Sequence, residues 1–178
     1  MPDLTMITSR NAYAVAAVAC LTSCTSILPY APPATRPEAR VRIVIPATSH
    51  FPAQAFGLAS GSCDGSMMDF GTLGGNTGVS RTPIGMIADP SLPAASYMER
   101  KVPAGKPYML FARVGAAQKT CGLPVSFRPE ADADYQATIT GEATACQLVL
   151  SRLSSSPEGS VIATAEATAR SETCPDLK

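Results

Sequence analysis

The chain lacks any excess of charge, because 14 lysines and arginines are matched by 14 aspartates and glutamates over 178 residues. With no net field to steer a phosphate backbone towards it, a nucleic acid partner is not expected. Long hydrophobic runs are missing too. The N-terminal run AYAVAAVACL, residues 12 to 21, is ten residues long, whereas a bilayer-spanning helix needs about 20. Histidine is scarce, with His50 alone, and neither Asp64 nor Asp69 stands from it at a zinc or calcium spacing. No metal and no cofactor are therefore expected. Helical periodicity is hard to find, and no repeat at a fixed period is visible. What these absences leave is a strand-built domain without a ready catalytic centre.

The N-terminal run has the size of an export signal, whose apolar core takes about 7 to 15 residues. Arg10 precedes it, and Leu21, Thr22, Ser23 and Cys24 close it. That closing stretch resembles the end of a bacterial lipoprotein signal, in which an aliphatic residue and two small ones stand before an invariant cysteine. The resemblance implies diacylglycerol on the Cys24 thiol, cleavage before it, and a further acyl chain on the new amino terminus. Several chains hold a protein at a membrane where one binds only marginally. Thr25 is not the aspartate that retains such proteins in the inner membrane, so the family rule implies lipid anchorage in the outer membrane, facing the periplasm. A rival A-x-A site, Ala17 to Ala19 before Cys20, would shorten the apolar core to about seven residues, the lower limit for a signal. Residues 1–23 are accordingly read as a signal peptide, 24–39 as a tether and 40–178 as the folded domain.

The tether reading rests on Pro29, Pro32, Pro33 and Pro37. Each ring fixes φ near −65° and removes a donor, which predicts an extended spacer of about 3.1 Å per residue, reaching roughly 50 Å. From Arg40 the pattern becomes period two. In RVRIVI, Val41, Ile43 and Ile45 alternate with Arg40, Arg42 and Val44, the signature of a half-buried strand. Similar segments recur at 108–114, 123–127, 135–140 and 146–153, separated by turn residues at the spacing of a sandwich or barrel. An all-β fold is predicted, an antiparallel β-sandwich of about seven to eight strands following an N-terminal signal helix and the tether. Within the glycine- and proline-rich stretch 71–94, a loop around one short strand at Ile84 to Ala88 is expected. Residues 160–170 suit either a strand or an alanine-rich helix, with strand favoured by the alternation and the threonines. The segments Val102 to Pro107 and Ser126 to Tyr135 are similar to stretches of small β-rich envelope lipoproteins, a likeness that implies no activity and no site.

Setting aside Cys20 and Cys24, four cysteines remain, and an even number in an exported chain reads as a disulfide framework. Four allow three pairings. Cys121 and Cys146 each stand near the start of a predicted strand, so their ends can meet, which leaves Cys63 with Cys174. One motif competes for Cys63. GSCDG, residues 61 to 65, has the form of a cysteine nucleophile elbow, with His50 as its only possible base. An elbow needs a helix after the nucleophile, and SMMDFGTLGG is not one. Glu130, Asp132 and Asp134 alternate before a strand, yet a hard cation wants six to eight oxygens, so a solvated turn is expected. Met67, Met68 and Phe70 read as core.

Two function classes follow. The favoured one is a non-catalytic β-sandwich held at the membrane by its lipid anchor, binding an envelope protein or glycan through loops or an edge strand. The alternative is a cysteine-dependent hydrolase using Cys63 and His50.

Overall fold

The alternation that starts at Arg40 builds the middle of a sheet. The computed structural model describes residues 26–45, 51–63, 66–74, 83–93, 96–116, 119–142 and 144–174. Cys24, His50 and Asp64 lie outside the described residues. Strand β2 (Glu38–Val44) sends Ala39, Val41 and Ile43 inwards, while Arg40 and Arg42 take the other face. Around it stand β1 (Ile27–Pro29), β3 (Ala53–Leu58), β4 (Met67–Leu73), β5 (Tyr97–Pro103), β6 (Tyr108–Ala116), β7 (Lys119–Phe127), β8 (Asp134–Glu142), β9 (Ala145–Ser155), β10 (Val161–Ala165) and β11 (Arg170–Ser171). They form a six-stranded sheet, β1-β4-β3-β6-β7-β11, and a five-stranded sheet, β10-β9-β8-β2-β5. No α-helix occurs among the described residues.

The fold is thus the all-β sandwich expected from the sequence, with eleven strands among the described residues in place of seven or eight. It also departs from pure antiparallel pairing, since β1 runs parallel to β4 and β2 parallel to β8. Of the two readings for the C-terminal segment, residues 161–165 take the strand. Strand β5 escaped period-two reading because Glu99, Arg100 and Lys101 interrupt it, and both of its faces find polar partners. Arg100 points to the side of the sandwich, where its guanidinium donates to the Phe70 carbonyl across the gap between the sheets and stacks over the Tyr30 ring at 5.1 Å.

The core lies between the sheets. Val41, Ile43, Tyr135, Ala137, Ile139 and Leu150 meet Ala55, Phe70, Tyr108, Leu110, Val125 and Phe127. Tyr108, Phe127 and Tyr135 pack edge to face, with ring centroids 6.3 and 5.2 Å apart. Gly57 has no side chain because none fits: a Cβ there would stand 1.9 Å from the Tyr108 hydroxyl and 2.5 Å from the Phe70 ring. A second apolar cluster lies on the outside of the six-stranded sheet, where Phe56, Leu58, Met67, Met109 and Phe111 are capped by the Cys63–Cys174 bridge. Met67 joins this outer cluster while Phe70 joins the main core and Met68 packs against it, as alternation along β4 dictates, and the bulge between Ala55 and Phe56 then changes the parity so that Leu73 also faces the main core.

Both expected cysteine pairs are present. Cys121 on β7 is bonded to Cys146 on β9, with Cα atoms 6.1 Å apart, tying one sheet to the other. Cys63 is bonded to Cys174, with Cα atoms 5.4 Å apart and a sequence separation of 111.

Two local expectations are corrected. The proline-rich stretch does not stand free from residue 26 onwards. Ile27–Pro29 adds an edge strand to β4, Tyr30 packs edge to face on Phe70 at 5.3 Å, and the Pro37 carbonyl accepts from Ala104 N–H at 3.0 Å. Proline forbids only a central strand position, and an edge was available. The short strand expected at Ile84 to Ala88 does not form. Side chains of the neighbouring sheet hold that backbone instead.

Candidate interaction surface

Arg40 and Arg42 leave β2 on the outer face of the five-stranded sheet, and the register places an acid beside each. Glu99 of β5 is opposite Arg42, and Asp134 of β8 is opposite Arg40. Opposite charges paired directly across strands are favourable. The Arg42 Nε and Nη2 atoms donate to Glu99 Oε1 at 3.1 and 2.8 Å, and Arg40 Nε lies 2.5 Å from Asp134 Oδ1.

These charges are not on open surface. Arg42 is 2% exposed and Glu99 8%, because residues 83–93 cross over them as a strap. Arg40 Nη1 donates to the Gly85 carbonyl at 2.7 Å and Arg42 Nη2 to that of Ile87 at 2.6 Å. In return, Ile84 N–H donates to Glu99 Oε2 at 3.2 Å and Ile87 N–H to Asp134 Oδ2 at 2.8 Å. Buried backbone groups need partners, and a glycine- and proline-rich segment makes no ladder of its own. The four charged side chains supply those partners. The Arg42 guanidinium also lies over the Tyr97 ring at 5.3 Å. Beyond the strap, a cleft lined by Ser91, Gln136, Leu153, Glu158, Val161 and Ala163 runs along the outer side of β10.

The sheet edges differ in how they are closed. On the six-stranded sheet, β1 is three residues long and ends in Pro29, and β11 is two residues long. On the five-stranded sheet, the edge of β5 is plugged, since the Tyr30 hydroxyl accepts from Lys101 N–H at 3.0 Å and donates to the Lys101 carbonyl at 3.2 Å. Strand β10 carries none of these devices. Its five residues, VIATA, include no charge and no proline, and Ile162 is 45% exposed. Among the described residues, no hydrogen bond reaches Val161–Ala165 except from β9. Short length, charge, proline and covering segments are the ordinary protections of an edge, and β10 is left without them.

The residues singled out for chemistry do not converge. Cys63 has its sulfur in a disulfide, and its proposed base lies outside the described residues. Glu130 is paired with Arg152 at 2.7 Å, Asp132 is exposed, and Asp134 is buried against Arg40. The solvated turn therefore holds for Glu130 and Asp132, while Asp134, on β8, holds the strap. Asp69 Oδ1 accepts from Gly71 N–H at 2.9 Å and its Oδ2 from Gln54 Nε2 of β3 at 3.4 Å. The strap itself was hidden from sequence reading, which took Arg40 and Arg42 as solvent-facing. The available signal was two arginines inside a β-branched run, upstream of a long segment too poor in pattern to fold alone. No protein-family model matches the chain, and no curated protein matches it.

Proposed function

We propose that this chain is an outer-membrane lipoprotein anchored through Cys24, whose β-sandwich is a non-catalytic binding or assembly module that accepts an extended segment of an envelope protein beside β10. The observation that carries this reading is the unprotected edge of β10. An added strand gains affinity from main-chain hydrogen bonds and specificity from pockets for alternate side chains. The cleft between β10 and the strap offers such a pocket on one face. A glycan has no peptide ladder to give, so the edge favours a protein partner. The hydrolase alternative loses support, because a sulfur held in a disulfide is not a thiolate nucleophile.

The test is photo-crosslinking in producing cells, with benzoylphenylalanine placed at Ile162 or Thr164 and, as control, at Arg113 on the other sheet. Adducts of one defined size are expected from the two β10 positions. They should disappear when a lysine replaces the neighbouring β10 residue, since an edge charge blocks strand addition. Adducts arising equally from Arg113, or none from β10, would end the proposal.

A further inference from the structure

Covalent geometry limits how far the domain can stand from its anchor. Cys24 and Ser26 are two residues apart, and an extended chain spans at most about 3.3 to 3.6 Å per residue, or roughly 7 Å here. Ser26 already belongs to the domain. Its carbonyl accepts from Met67 N–H at 3.0 Å, and its hydroxyl meets that of Ser66 at 2.9 Å. The expected long spacer is thus consumed by docking on β4, and little slack remains.

We propose that the end of the sandwich where β1 begins lies directly against the bilayer surface, with Ile27 and Leu28 among the headgroups. This rests on Cys24 being the lipidated residue. Register identifies the elements at that end. Ile27 is level with Met67, Met68 with Gly57, Leu58 with Met109, and Tyr108 with Phe127. The turn after β3, the β5–β6 turn and the segment after β7 therefore share it. Ile27 is 56% exposed and Leu28 47%, two of the four large hydrophobic side chains left open to solvent among the described residues. They stand nearest the anchor, where a membrane would cover them. Lys106 and Arg128, exposed at the same end, make no ion pair among the described residues. With the exposed Arg36 they outnumber the exposed Asp132 and Glu158 of the same end, where Glu130 is paired with Arg152, a balance that tolerates anionic headgroups. The β6–β7 and β8–β9 turns form the opposite end. Nine residues of β6, at about 3.3 Å each, put it roughly 30 Å away.

The chain contains no tryptophan, so a single introduced indole reports alone. Full-length Ile27→Trp, Lys106→Trp and Thr144→Trp chains would be extracted from membranes, checked by intact mass and reconstituted into vesicles containing brominated phosphatidylcholine. Acylated I27W and K106W are expected to lose most of their emission to the bromolipid, and T144W to keep it. Acylated I27W that stays unquenched overturns the inference alone. So does T144W quenched as strongly as I27W. An I27W indole shielded from aqueous iodide yet untouched by bromolipid would show a protein, not lipid, over β1, and would overturn it as well. An intact mass lacking acyl chains overturns the lipidation of Cys24 and this inference together.

Discussion

Replacing Glu99 by alanine tests whether the strap is held by charge. The change removes the acceptor for two Arg42 donors and for Ile84 N–H, and it leaves a guanidinium that is 2% exposed without its counter-ion. Breaking a buried pair from one side costs about 3–5 kcal/mol, whereas an exposed pair contributes about 0–1 kcal/mol. Against a domain stability of about 5–15 kcal/mol, the first figure is easily resolved. Urea denaturation of the oxidised chain from Ser26 onwards should show a loss of about 3–5 kcal/mol. Hydrogen exchange should find the Ile84 and Ile87 amides exposed before the core amides of β8. A double replacement, Arg42→Leu with Glu99→Leu, removes both charges at once and should be less destabilised than Glu99→Ala alone, because no unpaired charge stays buried. A loss below about 1 kcal/mol, with both strap amides as protected as in the parent, would refute the reasoning, since that is the behaviour of a surface pair.

Gly57→Ala should cost about 1–3 kcal/mol in the same denaturation assay, by driving a methyl group into Tyr108 and Phe70. Adding Tyr108→Phe should recover part of that loss by removing the hydroxyl that the methyl meets first. Replacing Cys63 and Cys174 by alanine should destabilise by about 4.8 kcal/mol and replacing Cys121 and Cys146 by about 3.5 kcal/mol, on loop-closure entropy alone. The order of the two urea midpoints checks it. Burial pushes the Tyr108 phenol far above its ordinary value and also raises Tyr30 and Tyr135. A phenol raised in the folded state contributes stability below its ordinary value of about 10 and loses it as pH climbs towards the folded value. Urea midpoints should therefore fall above about pH 10, and less steeply in Tyr108→Phe.

How much of this was legible depended on whether neighbours in sequence carried the information. The alternation of Val41, Ile43 and Ile45 with Arg40, Arg42 and Val44 needs no partner to be read, since it follows from the two-residue repeat of a strand. The same holds for the segments that became β6, β8 and β9. Strand β5 failed the same test because Arg100 serves the side of the sandwich and Glu99 the strap. The candidate edge β10 was visible as an alternating segment without charge. That it would lie at the rim was not, because strand order depends on pairings between distant residues.

Local chemistry by itself determined the period-two strands, the near-zero net charge, the pairing capacity of four cysteines and a proline-rich stretch barred from a central strand. Those properties follow from backbone sterics and side-chain type, which act within a few residues. Only the tertiary structure decided that Arg42 and Glu99 would be buried, that Tyr30 would plug one edge while β10 stayed open, and that Ile27–Pro29 would dock on β4. Each of these depends on elements about 40 to 70 residues apart in the chain meeting at hydrogen-bond distance, and no local pattern encodes which distant partner a polar group will find.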